Sequence, residues 1–147
     1  MSAQSAPARL NDMQMRIRDL LAGAEKPLSA YDVIDALRGQ GRLAPPTVYR
    51  ALQKLIDEGL AHRLETRNAY VACQHGGAAC GHNHRAGFMI CRVCGKAQEF
   101  GDAEVEALLA QTAARRGFAA ERVAIEIQGL CHLCRGRAIT LPDANAA

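Results

Sequence analysis

Two cysteine pairs constrain this chain more than any other feature. Cys91-Arg-Val-Cys94 and Cys131-His-Leu-Cys134 are C-x-x-C hooks with 36 residues between them. A C-x-x-C turn presents two thiolates on one side of a tight loop. Two such turns complete a tetrahedron around Zn²⁺ and leave no position open for a substrate. Gly95, directly after the first hook, suits a sharp turn. The segment between the hooks must therefore fold so that its two ends meet. Disulfides and a redox C-x-x-C are the competing readings. The opening residues, MSAQSAPARLNDMQMR, contain no apolar stretch of the kind that directs secretion. The expected compartment is the reducing cytoplasm, where paired hooks read as metal ligands. With 4% aromatic residues and no Trp, the core must be built from Leu, Ile, Val and Ala, and a metal staple helps such a core.

The 147 residues allow one ordinary domain or two small ones. No apolar run approaches the roughly 18–20 residues of a membrane span, so no membrane partner is expected. The net charge of +3, from 18 basic and 15 acidic residues, neither demands nor excludes nucleic acid.

The predicted fold class is α+β, an N-terminal winged helix-turn-helix followed by a small α/β unit stapled by the four hook cysteines. Leu10, Met13, Ile17, Leu20 and Leu21 have helical spacing, with Asn11 or Asp12 as the cap. Ser29 caps a second helix, Ala30 to Leu37, with Val33, Ile34 and Leu37 on one face. Pro45-Pro46 suits a first helical turn, and Val48, Ala51, Leu52, Leu55 and Ile56 make a third amphipathic helix ended by Gly59. Leu60–Glu65 and Ala69–Ala72 alternate around the polar turn Thr66-Arg67-Asn68, which predicts a β-hairpin. Helices followed by a hairpin predict a third helix in the major groove and a hairpin wing. Residues 73–87 are rich in Gly, His and Cys and read as a metal-binding linker between units 1–72 and 88–147. In the second unit, Phe88–Ile90 and Ala97–Phe100 read as strands. A helix runs from Asp102 to about Arg116 with Val105, Leu108, Leu109 and Thr112 inward, and Phe118–Gln128 is strand-like. Residues after Leu141 are expected to be disordered.

A second, looser set of ligand types comprises His62, Cys73, His75, Cys80, His82, His84 and Glu99. Mixed Cys, His and Glu ligands suit an exchangeable Zn²⁺ site. His62 lies on the predicted wing, Cys73 at its end, His84 in the linker and Glu99 in the second unit. One ion holding these four would tie both units into one orientation, a two-state element that a metal can bias. Taken singly, each residue has a plainer explanation, and spacing alone leaves the ligand set open.

On the third helix, Thr47, Tyr49 and Arg50 face away from the apolar stripe. Arg50 suits bidentate contact with guanine, and Tyr49 a base or phosphate contact. Lys54, Arg63 and Arg67 suit phosphates. Residues 1–62 hold 8 basic and 7 acidic side chains, so any DNA footprint depends on local placement.

Pro46-Thr47-Val48-Tyr49-Arg50-Ala51-Leu52, followed by Cys91-x-x-Cys94-Gly95 and the late Cys131-x-x-Cys134, resembles the Fur family of metal-dependent repressors. Leu28-Ser-Ala-Tyr31-Asp32, Asn68-Ala-Tyr70-Val-Ala-Cys73 and Phe88-Met-Ile-Cys91 are similar to its zinc-uptake-regulator branch. The resemblance covers roughly residues 10–137. The family's usual first helix, ahead of Leu10, is missing or shortened. The resemblance implies a homodimer that binds operator DNA when zinc-loaded and shuts off zinc-uptake genes. It implies about two Zn²⁺ per chain. Cys91, Cys94, Cys131 and Cys134 match a structural site, and His62, Cys73, His84 and Glu99 a regulatory one. His82, Cys80 and His75 are extra or substitute ligands. Tyr31 joins Thr47, Tyr49, Arg50, Lys54, Arg63 and Arg67 as a DNA-binding residue. A thiolate at Cys73 favours zinc over iron or manganese. The alternatives are a regulator answering another metal or peroxide, and a zinc buffer without DNA binding. With no nucleophile motif and no phosphate loop, an enzyme or a small-molecule substrate is not expected.

Overall fold

The structure is a computed structural model that describes residues 9–41, 43–74 and 87–136. Its first half contains three helices, α1 (Asp12–Gly23), α2 (Ala30–Leu37) and α3 (Pro45–Asp57). Asn11, not Asp12, caps α1. Its side chain accepts from the Gln14 amide while the Gln14 side chain accepts from the Asn11 amide. Ser29 and Asp32 make the same reciprocal box at α2. Those bonds hold the Asp32 carboxyl below its ordinary range. The helix α3 starts with both prolines in its first turn, where their missing amides leave no bond unmade.

A hairpin follows, β1 (Ala61–Leu64) with β2 (Ala69–Ala72), in antiparallel register with His62 opposite Val71 and Arg63 opposite Tyr70. Asn68 in its turn adopts φ 47°, a left-handed conformation that Asn tolerates. Leu28 pairs with Tyr70 through two backbone hydrogen bonds of 3.0 and 2.7 Å, a third, minimal strand that alternation alone does not reveal.

Strand alternation gives the hairpin two apolar faces. Ala61 and Tyr70 pack on Ile17, Val33, Val48, Leu52 and Leu55 in the helical core. Leu64 and Val71, on the opposite face, pack on Phe88, Ile90 and Ala97 of the second half. The wing is thus a layer between three helices and a second sheet.

That second sheet has the order β4–β3–β5, with β3 (Gly87–Cys91), β4 (Ala97–Phe100) antiparallel to it and β5 (Ile125–Gly129) parallel to it. Between them runs α4 (Ala103–Arg115), capped by Asp102, and a short α5 (His132–Arg135) ends the described chain. Phe88 is paired with Glu99 on one side and Glu126 on the other, so these three side chains form a row on the face that meets the wing. Met89 and Ile127 lie on the opposite face and are 41% and 52% exposed.

Two sequence expectations are corrected. Val105, Leu108 and Leu109 of α4 do not point into a core of this chain, because the helix buries none of its residues and Leu108 is 58% exposed. Their helical spacing is real, but the described residues do not supply a surface for them to cover. The alternating run 118–128 forms a strand only over Ile125–Gly129, where β3 supplies a partner. Phe118 is exposed. Expectations for the ends of the chain and most of the linker fall outside the described residues.

Candidate metal centres

The first hook sits at the end of β3 and the second at the start of α5. Backbone hydrogen bonds set both. The Cys91 amide donates to the Lys96 carbonyl at 2.9 Å and the Gly95 amide to the Cys91 carbonyl at 3.1 Å, a reversal that needs the φ of +75° at Gly95. The amides of Cys134 and Arg135 donate to the Cys131 carbonyl at 3.0 and 2.9 Å. The parallel pairing of β3 with β5 carries the second hook to the first, with the Arg92 amide donating to the Gly129 carbonyl at 2.9 Å.

All four sulfurs lie within 4.8 Å of one another. The Cys94 and Cys131 sulfurs are 3.8 Å apart. A tetrahedron with Zn–S bonds of about 2.3 Å has edges of about 3.8 Å, so the four thiols have the spacing zinc requires. Their acidities are driven apart. Amides of Cys131 and Cys94 directed at the Cys91 sulfur hold that thiol down to about 5. The neighbouring Cys131 sulfur, then burial, push Cys134 up to about 12. Four crowded thiols cannot all ionise unless a cation offsets their charge. Cys91 and Cys134 are buried, so such an ion is shielded from water.

The second cluster joins His62, Cys73 and Glu99, whose ligand atoms also lie within 4.8 Å of one another. His62 comes from β1, Cys73 follows β2, and Glu99 comes from β4. The Cys73 amide donates to the Leu60 carbonyl at 2.9 Å, which fixes the thiol at the base of the wing. His62 Nε2 lies 3.5 Å from Glu99 Oε1, close to the edge of about 3.4 Å expected around zinc with N and O ligands at about 2.05 Å. The Glu99 side chain is 1% exposed. Its other oxygen, Oε2, accepts from the Gln74 amide at 3.1 Å. Phe88 lies against the His62 ring, with centroids 5.5 Å apart, and restricts its orientation. A nearly buried carboxylate oriented by an amide, a restrained imidazole and a thiol supply, among the described residues, three ligands that suit zinc. His84, His82, Cys80 and His75 lie outside the described residues.

The outer face of α3 exposes Thr47, Tyr49, Arg50, Gln53 and Lys54, while Val48, Ala51, Leu52 and Leu55 are buried. Tyr31 is exposed on α2. Lys54 is paired with Glu58 one turn on, and the carboxylate beside it pushes the ammonium pKa up. Arg63 donates to the Asn68 side chain at 2.8 Å. Arg67 donates to the Cys91 carbonyl at 3.3 Å, across the boundary between the two halves.

Sequence reasoning missed Glu126. Its two oxygens accept from the Glu65 and Thr66 amides at 2.5 and 3.0 Å. Partial burial pushes the Glu126 pKa up, but bonds from Thr66 and Glu65 outweigh it and leave the carboxyl below its ordinary range. Alternation in β5 separates Glu126 from Ile125 and Ile127, yet only the sheet order reveals what it faces.

A model of the ferric uptake regulator family matches residues 6–128. The zinc uptake regulation protein of Escherichia coli K12 is 35% identical over 127 residues, covering 86% of this chain and 72% of that protein. The crystal structure of holo XcZur superposes with a TM-score of 0.79 at 38% identity, covering 88% of each chain. The structure of a zinc uptake regulator complexed with zinc and DNA superposes at 0.80 with 35% identity, covering 87% of this chain and 84% of that one.

Proposed function

Because the chain belongs to the ferric uptake regulator family, we propose that it is a zinc-responsive transcriptional repressor that binds operator DNA as a dimer when zinc-loaded and shuts off zinc-uptake genes. The observation that carries this reading is the position of His62, Cys73 and Glu99. They stand on both sides of the junction between the winged helix and the second sheet, with ligand atoms within 4.8 Å. The zinc uptake regulators that resemble the chain over most of its length point to the same metal.

The two clusters take different roles. Cys91, Cys94, Cys131 and Cys134 are the structural ligands. His62, Cys73 and Glu99, with His84 as the fourth, are the regulatory ligands, giving about two Zn²⁺ per chain. The Cys73 thiolate selects zinc over harder-ligand metals. Bound zinc supplies a bond across the junction. The residues do the rest: Phe88 restrains His62, the Gln74 amide orients Glu99, and the Leu64–Phe88–Ile90 contact keeps the wing on the sheet. Zinc affinity that differs between docked and undocked arrangements is the thermodynamic requirement for a switch.

Thr47, Tyr49 and Arg50 on α3, with Tyr31 on α2, form the base-reading and backbone-contacting face, and Lys54, Arg63 and Arg67 add charge near phosphates. The dimer uses exposed apolar side chains of the second half, among them Met89 and Ile127 on the sheet and Val105, Leu108 and Leu109 on α4. The protein works by binding, not by catalysis, and in the cytoplasm. Among the described residues, no helix is long and apolar enough to cross a membrane.

The test is operator binding by the reduced full chain at buffered free zinc, with a duplex selected from a random-sequence library. Affinity should rise steeply with zinc and not with iron or manganese. Binding that ignores zinc overturns the proposal.

A further inference from the structure

The row Glu99–Phe88–Glu126 crosses all three strands of the second sheet on the face that meets the wing. Its two carboxylates meet the wing at separate points. Glu99, on β4, lies beside His62 in the metal cluster. Glu126, on β5, holds the wing's turn by two backbone amides in sequence, Glu65 and Thr66. The zinc site accounts for the first contact and not for the second. Hydrogen bonds from adjacent amides to one carboxylate are charge-assisted and directional, so they fix position as well as attract. Two further contacts support the same turn. Arg122, four residues before Glu126, pairs with Glu65 at 3.3 Å, and Arg67 reaches the Cys91 carbonyl. All of these bonds join residues more than 20 positions apart.

We propose that Glu126 is a positioning residue, the centre of a metal-independent latch that holds the wing's turn on β5 so that zinc at the other edge of the sheet closes a junction already partly made. This deepens the zinc-repressor reading and rests on it. The latch sets how much free zinc is needed, because a ligand that binds only the docked arrangement is weakened in proportion to the undocked fraction. At saturating zinc the docked arrangement is restored and DNA affinity is unchanged. A residue that touches DNA would instead weaken binding at saturation. A residue needed only for folding would lower the active fraction without moving the zinc midpoint.

The experiment compares wild type with Glu126→Gln and Glu126→Asp in the reduced full chain. Gln replaces one acceptor oxygen by a donor facing amide donors. Asp keeps the charge but withdraws it by one methylene, and covers the case in which the Gln variant does not fold. Amide hydrogen exchange at Glu65 and Thr66 is read by NMR, and binding of the library-selected duplex is titrated against buffered Zn²⁺. The expected result is exchange at those two amides faster by about tenfold or more, and a zinc midpoint raised by about tenfold, with affinity at saturating zinc within about threefold of wild type. Unchanged protection of the two amides overturns the latch, as does an unchanged zinc midpoint or a loss of affinity that saturating zinc does not repair. If wild type itself shows no zinc-dependent DNA binding, the repressor reading fails, while the exchange data still decide whether Glu126 holds the wing.

Discussion

The two candidate metal clusters use different donors in opposite settings. The four hook cysteines come from one small unit, carried together by the parallel pairing of β3 with β5. Their neighbours are backbone amides and one another. His62, Cys73 and Glu99 come from the wing and from the second sheet, and they meet only where those two parts are docked. A cluster made within a unit couples metal to folding. A cluster made across a junction couples metal to orientation. The chemistry matches the setting. Four thiols, soft donors once ionised, could close the first site, whereas one thiol, one imidazole and one carboxylate could begin the second.

The comparison is broken most severely by removing a hook ligand. Cys91→Ser should remove one zinc per chain and unfold the second unit, since a structural zinc contributes on the order of 10 kcal/mol to small zinc-dependent units. Zinc content and thermal melting check this, and a variant with normal values for both would erase the distinction between the clusters. Cys73→Ser should do the reverse. Its melting temperature should stay within about 3 °C of wild type, while zinc-dependent DNA affinity falls by about a hundredfold or more. Parallel melting and zinc-titrated binding would show whether fold and response separate.

Arg50→Ala probes the output with both clusters intact. Operator affinity should fall about tenfold to a hundredfold, corresponding to about 1–3 kcal/mol for a bidentate base contact, with zinc content and zinc midpoint unchanged. An unchanged affinity would remove α3 from the DNA interface.

The smallest effect belongs to the helical core, away from both candidate metal clusters. Ser29→Ala should cost about 1 kcal/mol through the lost α2 cap and leave the zinc response alone. The cap also carries a pH signature. Because the Asp32 carboxyl is held below its ordinary value of 3.8, its contribution is fully present above that value and fades as pH falls through the lower folded one. Melting of wild type and Asp32→Asn should therefore converge as pH falls from about 3.8 through the lower folded value. A difference that persists in acid would mean the box works through packing and not through charge.

Much of this was legible from local rules. Ser29 as a cap, the tandem prolines at the start of α3, and the turn at Gly95 follow from backbone chemistry that acts over a few residues. Donor chemistry singled out His62, Cys73 and Glu99, and the fold brings their ligand atoms together. The errors lie where a partner decides the outcome. A run such as 118–128 alternates whether or not a strand lies beside it, and only Ile125–Gly129 finds β3. The helical spacing of α4 marks an apolar face without saying whether this chain covers it.

The sequence by itself determined the helices of the winged half, the hairpin and which side chains are candidate metal ligands, because caps, periodicity and ligand chemistry are short-range properties. Only the tertiary structure decided that β5 lies parallel to β3, that Phe88 stands between Glu99 and Glu126, and that one carboxylate faces the metal cluster while the other grips the wing. The reason is physical. A carboxylate's role depends on which donor or cation stands within about 3 Å of it. Here the donors to Glu126 come from 60 and 61 residues away along the chain.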